Sequence, residues 1–191
     1  MASSFETASV PPRLRRVSTE SLTPREISAI RDLLAAAFGS DDEERFGEDD
    51  WQHALGGTHF LLEVGDEILT HAAVVERTLE IDGRPLHTGY VEAVATAPNR
   101  QATGFGSSVM AEVTAHIRDR FELGALGTGR HRFYERLGWQ KWAGPSFVRT
   151  AGGLRRTPDE DGYILVLATR SSRPLDLAAP ISCEWRPGDV W

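Results

Sequence analysis

A single cysteine, Cys183, stands among 191 residues, so no internal disulfide can form and the chain is not a small stapled fold of the secreted kind. Long apolar runs are missing as well. None approaches the roughly 18 residues that cross a bilayer, and the first residues carry no apolar core of a secretory leader. These absences predict a cytoplasmic protein without a membrane span. The six histidines, at positions 53, 59, 71, 87, 116 and 131, include neither a pair four apart around a glutamate nor cysteine partners, so no metal site is expected. Basic side chains are in deficit: 21 Lys and Arg stand against 28 Asp and Glu, a formal charge of −7. Surplus negative charge repels nucleic acid and anionic membrane and favours a cationic partner. No internal repeat or low-complexity segment is found.

What is present fits one core. A chain of 191 residues with 40% hydrophobic content can bury one sizeable core, so a single α/β domain over residues 13–191 is expected after a loose tail at 1–12. A short strand is read near Arg13 to Val17. Thr23-Pro24-Arg25-Glu26 combines a capping threonine, a proline at the first helical position and a glutamate three residues after the cap. The helix it opens buries Ile27, Ile30, Leu33, Leu34 and Phe38, which fall at helical spacing. A second short helix is read from Trp51 to Leu55, ending at Gly56-Gly57. From His59 the pattern turns strand-like, with turns at Gly65-Asp66 and Asp82-Gly83, and predicts an antiparallel meander ending in the strand YVEAVAT, residues 90–96. Beyond it, Phe105 to Arg120 is an amphipathic helix and Leu123 to Leu126 a strand. Arg130 to Leu137 is a short helix stopped by Gly138, and Trp139 to Val148 and Tyr163 to Thr169 are two further strands. The order predicts a mixed, mostly antiparallel α+β sheet with helices on both faces.

Between the strand ending at Thr96 and the helix from Phe105 lies Gln101-Ala102-Thr103-Gly104-Phe105-Gly106. Glycines at 104 and 106 remove the Cβ atoms that would hold a ligand off the backbone. The first amides of the helix carry partial positive charge, so the segment reads as a pyrophosphate cradle. Ordinary turn chemistry is the competing reading of two glycines alone.

The spacing Q-x-x-G-x-G after a strand, together with FYERLGW at 133–139, resembles the GCN5-related N-acetyltransferase superfamily over roughly 13–191. ALGGTHF at 54–60, HAAVVER at 71–77, GYVEAVA at 89–95, RTPDEDG at 156–162 and CEWRPGDVW at 183–191 resemble more specifically the aminoglycoside 2'-N-acetyltransferases. The resemblance implies acetyl-CoA as cosubstrate, a homodimer, and direct transfer without a covalent enzyme intermediate. It places Glu92 as general base through an ordered water, Tyr134 as general acid and the Val94 N–H as oxyanion donor. Val94 and Thr96 would bind the pantetheine arm, and residues 101–106 the pyrophosphate. Independently of family, an ammonium must lose a proton before it attacks a thioester, and a carboxylate inside an apolar strand such as Glu92 is suited to take it. The competing readings are an edge glutamate paired with arginine, and a core tyrosine at 134.

Seven of the ten residues at 41–50 are acidic: Asp41, Asp42, Glu43, Glu44, Glu48, Asp49 and Asp50. A solvated acidic loop is the plain reading. Further acids stand at 159–161 and at Glu184 and Asp189. Three such patches around one pocket would complement a polycationic aminosugar. By alignment with the resembled family, Asp50, Trp51, Glu92, Glu160, Asp189 and Trp191 with its terminal carboxylate take acceptor-binding positions. Trp51 and Trp191 are expected to wall the pocket, and Trp139 and Trp185 to lie in the core. The chain departs from the family pattern at Gly127, where a serine is expected, and at Arg45, where an acid is expected. The sequence thus points to acetylation of the 2'-amine of aminoglycosides, a route to antibiotic resistance. The alternatives are acetylation of another polycationic amine, or a non-catalytic protein that binds acetyl-CoA or the drug.

Overall fold

The computed structural model describes residues 10–39, 46–172 and 174–191. Ten strands form one continuous sheet. The meander comprises β1 (Arg13–Ser18), β2 (Thr58–Val64), β3 (Glu67–Ile81) and β4 (Arg84–Thr96), each antiparallel to the next. β5 (Leu123–Gly127) lies parallel beside β4, and β9 (Ile164–Ala168) and β6 (Gln140–Lys141) extend that side. On the other side the far end of β3 carries β10 (Ile181–Glu184), then β7 (Ser146–Thr150) and β8 (Gly153–Arg156).

Helices cover both faces, which explains why the central strands read as almost unbroken apolar runs. Successive side chains point to opposite faces. Phe60, Leu62, Ala72 and Val74 meet Val109, Met110, Val113 and Ile117 of α3 (Phe105–Arg120) in one cluster. Leu61, Ala73, Ala93 and Ala95 meet Ile30, Leu33 and Leu34 of α1 (Pro24–Phe38) and Trp51 of α2 (Glu48–His53) in another. α1 starts as its sequence requires. The Thr23 hydroxyl accepts from the Glu26 N–H at 3.3 Å, while the Glu26 carboxylate accepts from the Thr23 N–H at 2.8 Å, two orphan donors satisfied at once. A third cluster joins Tyr90, Trp142, Ile164, Ile181 and Trp191 around the β9 and β10 side.

Three expectations change. The segment Trp139 to Val148 is not one strand but two, β6 and β7, on opposite sides of the sheet. Pro145 has no N–H to continue a ladder, and a Cβ on Gly144 would stand 2.0 Å from the Ala179 carbonyl oxygen, so the chain crosses over at this pair. Strands β8 and β10 had no counterpart in the sequence reading. Trp185, expected in the core, is 59% exposed, because it follows β10 out of the sheet.

His59 and His71 face one another inside the second face cluster, their rings 5.2 Å apart and both fully buried. Burial pushes His71 down to about 3 and His59 to about 4, so both are neutral at physiological pH. Between about pH 6.5 and 4 the unfolded chain takes up protons at these positions that the folded chain does not. Stability should therefore fall as pH is lowered through this window, at up to about 1.4 kcal/mol per pH unit for each ring. Urea unfolding at pH 7, 6 and 5 measures the slope, and His59→Leu should lose about half of it; an unchanged slope in that variant rules out this origin.

Candidate active site

β4 and β5 are paired only from Thr88 to Tyr90 on β4, opposite Leu123 to Ala125. β4 then runs on to Thr96 while β5 stays with β9. From Val91 onward the β5-facing edge of β4 has no strand partner among the described residues, and a cleft of about 340 Å³ opens there. On its other edge β4 carries a bulge: Ala73 is opposite Glu92 and His71 opposite Ala95, so Ala93 and Val94 together face Ala72 alone. Ala93 has φ of 52°, a left-handed conformation that a residue with a Cβ adopts only against a penalty on the order of 1–3 kcal/mol. The bulge re-aims the backbone at the mouth of the splay.

Glu92 and Tyr134 both line this cleft, with Asp50 and Asp189. Glu92 is 15% exposed and its Oε1 accepts from Arg186 Nη1 at 2.7 Å. Burial raises its carboxyl above the usual carboxylate range, against the opposing pull of Arg186. A carboxylate raised in this way is a stronger proton acceptor. Tyr134 lies on α4 (His131–Glu135), edge-on to Phe133 and Trp139. Burial pushes its hydroxyl up to about 12, so it is protonated and can donate at neutral pH. The pair thus has the polarity of a general base and a general acid.

The amino end of α3 lies close to the end of β4, beyond the lining of the cleft. Gly104 is left-handed with φ of 91°, and no side chain caps the first turn. The amides of Phe105, Gly106 and Ser107 therefore have no helical acceptor. A Cβ on Gly106 would stand 3.2 Å from Thr96 Oγ1 and 3.7 Å from the Phe133 ring, which brings the helix start, the end of β4 and the residue beside Tyr134 together. Gln101, Ala102, Thr103 and Gly104 are exposed. An acetyltransferase (GNAT) domain model matches residues 18–142. A curated aminoglycoside 2'-N-acetyltransferase from Mycolicibacterium fortuitum is 37% identical over 182 residues, 93% of this chain and 91% of that protein. The chain belongs to the GNAT acetyltransferase family.

Among solved structures, a GNAT acetyltransferase from Brucella melitensis in complex with acetyl-CoA aligns with a TM-score of 0.61 at 20% identity, over 90% of this chain and 95% of that one. The YhbS GNAT N-acetyltransferase from Escherichia coli in complex with CoA gives 0.63 at 14% identity, over 91% and 90%. These likenesses concern the fold. The chain is thus an acetyl-CoA-dependent N-acetyltransferase. The uncapped amides of α3 and the bare Gly104 and Gly106 suit an anionic cosubstrate.

The acceptor side of this GNAT site differs from expectation at several residues. Trp51 is 4% exposed beneath Arg31 and does not line the cleft; Asp50, one residue earlier, does, its Oδ2 accepting from the Gly47 N–H at 2.7 Å. On a helix, adjacent residues point about 100° apart, so one faces the core and the other the cleft. Trp191 does line the cleft, with its indole largely buried and donating Nε1–H to Thr157 Oγ1 at 3.1 Å. Phe38 and Phe46, ring centroids 5.7 Å apart, add further aromatic surface to the cleft. Glu160 is half-buried and is not among the lining residues; burial raises its carboxyl, and the charges of Asp189 and Asp159 add to this. Asp41, Asp42, Glu43, Glu44 and Arg45 lie outside the described residues.

Arg186 was not singled out by sequence reasoning, and only its place in CEWRPGDVW marked it. Besides Glu92 it donates to the Asp189 carbonyl at 2.8 Å and to a main-chain oxygen of Trp191 at 3.2 Å, and its guanidinium lies over Tyr90. It therefore links the last turn of the chain to the carboxylate in the cleft. Its positive charge favours ionised Glu92. In Arg186→Gln, Glu92 should hold its proton to higher pH, and the acid limb of kcat/KM should move to higher pH. A limb that stays in place would show that Glu92 does not control it.

Proposed function

We propose that the chain acetylates the 2'-amine of aminoglycosides, with Glu92 as base and Tyr134 as acid. The observation that carries this reading is the acidic cleft at the free edge of β4, where Asp50, Glu92 and Asp189 converge beside Tyr134. The 37% identity to an aminoglycoside 2'-N-acetyltransferase supports the acceptor class. Carboxylates give a polycationic aminosugar both charge complementarity and hydrogen-bond acceptors.

Acetyl-CoA, when bound, supplies an acetyl thioester. The net exchange is one C–S bond for one C–N bond. Glu92 takes the proton that the acceptor ammonium must lose, directly or through one water. The free amine attacks the acetyl carbonyl and the C–S bond breaks; the Tyr134 hydroxyl gives a proton to the departing thiolate and regains one as the nitrogen loses its second proton to become the amide, while the proton on Glu92 passes to solvent. The Val94 N–H donates to the carbonyl oxygen as negative charge develops there, worth a few kcal/mol in such sites. Thr96 and residues 101–106 hold the pantetheine and pyrophosphate, and Asp50, Glu160, Asp189 and Trp191 frame the acceptor. The reading takes residues 13–191 as one catalytic domain of a cytoplasmic homodimer that confers antibiotic resistance. Gly127, in the cleft lining where the resembled family carries serine, favours a second acceptor class, other polycationic amines.

Steady-state assays with acetyl-CoA against gentamicin, tobramycin, kanamycin A, amikacin and spermidine separate these. Turnover of gentamicin and tobramycin is expected. Turnover confined to kanamycin A and amikacin, which lack a 2'-amine, contradicts the regiochemistry, and turnover of spermidine alone selects the second class. Glu92→Gln should lower kcat by about 10²- to 10⁴-fold. Drug resistance in cells that persists in Glu92→Gln and Tyr134→Phe, with binding retained, would instead identify a sequestering protein.

A further inference from the structure

The bulge on β4 is held from behind by a buried chain of hydrogen bonds. His71 Nδ1 lies 2.7 Å from the Ala93 carbonyl oxygen, His71 Nε2 lies 2.9 Å from His59 Nδ1, and His59 Nε2 lies 2.8 Å from Thr19 Oγ1. The Gly56 N–H donates to that hydroxyl at 2.9 Å. The Ala93 carbonyl can only accept, so His71 Nδ1 carries the proton. A neutral ring has one N–H, so His71 Nε2 accepts from His59 Nδ1–H, and His59 Nε2 accepts from the Thr19 hydroxyl. One acceptor at the end sets every tautomer along the line. Neither histidine lines the cleft, whereas Ala93 and Val94 both do.

The Ala93 carbonyl and the Val94 N–H belong to the same peptide unit. That unit is planar and trans, so its C=O and N–H point in opposite directions. A carbonyl clamped toward His71 therefore turns the Val94 N–H away from the histidines. We propose that His59 and His71 are positioning residues: their hydrogen-bond chain fixes the 93–94 peptide in its left-handed turn and so aims the Val94 N–H at the acetyl carbonyl. The chain explains why Ala93 keeps a positive φ without being glycine. Relaxed to an ordinary strand, the peptide would rotate its N–H off the oxyanion position. This inference rests on the reading above that Val94 is the oxyanion donor.

The test has two arms. In the free protein, long-range ¹H–¹⁵N correlation spectra of labelled histidines should show both rings neutral with the proton on Nδ1. His59→Leu removes the donor to His71 Nε2 and should leave His71 protonated on Nδ1, because the Ala93 carbonyl remains its acceptor. Rings protonated on Nε2 in the wild type overturn the proposal whatever the enzyme acetylates. In the second arm, the bound carbonyl of [1-¹³C]acetyl-CoA should move downfield in the wild type. It should move back in His71→Leu and stay downfield in His71→Asn, whose amide retains a donor near the Nδ1 position. With gentamicin, kcat should fall about 10²-fold in His71→Leu, as for loss of one oxyanion donor, with the acetyl-CoA Kd changed less than threefold and His71→Asn recovering at least tenfold. Equal carbonyl shifts and equal kcat in folded wild type and His71→Leu refute the relay. Failure of the wild type to bind acetyl-CoA refutes the function proposed for the site, and the tautomer spectra still decide the relay.

Discussion

The end of β4–β5 pairing at Tyr90 and Ala125 is the constraint from which the rest of the site follows. Strands in a sheet satisfy one another's backbone groups, and a strand that leaves its neighbour leaves donors and acceptors behind. Here those groups face a cleft instead of a partner. The parallel crossover from β4 to β5 through α3 sets the amino end of that helix beside the opening, close to Thr96. One departure from regular pairing thus supplies free backbone for a linear ligand and uncapped amides for its anionic end, an arrangement common where parallel strands part.

Two arginines, Arg77 buried beside the cleft and Arg186 in its lining, organise the charge here. Arg77 lies over the Tyr90 ring and donates to the backbone carbonyls of Glu184 and Val190. Arg186 lies over the same ring and reaches Glu92. Together they draw the last residues of the chain onto the site and place Asp189 in its lining. The Glu92 carboxyl is pulled both ways, raised by burial and lowered by Arg186. The Arg186 guanidinium also lines the cleft, so the Glu92 carboxylate already has a partner there.

Much of the frame was legible in residue pattern. The capped start of α1, the meander with its glycine turns and the amphipathic face of α3 all depend on local periodicity and turn chemistry. The strands near the end of the chain were not. β10 is only Ile181–Glu184, wedged between β3 and β7, and a four-residue segment after an irregular stretch carries no periodicity to read. The break at Gly144-Pro145 was visible as two letters, yet its consequence depends on the Ala179 carbonyl 35 residues away. At the site, motif resemblance singled out Glu92, Tyr134 and Asp189, which line the cleft. It also singled out Trp51, which the helix turns toward the core, and it passed over Arg186 and the two buried histidines.

By itself the sequence determined the sheet-and-helix order, the glycine-opened helix and the family, because each depends on neighbours within a few residues or on motifs that persist as strings. Only the tertiary structure decided which acids share a cleft, that Glu92 is paired with Arg186 94 positions later, and that His59 and His71 meet behind Ala93. Those relations depend on strand register, where a shift of one residue sends a side chain to the opposite face. Burial of a charge or a ring is likewise a property of the packed chain and of no single segment.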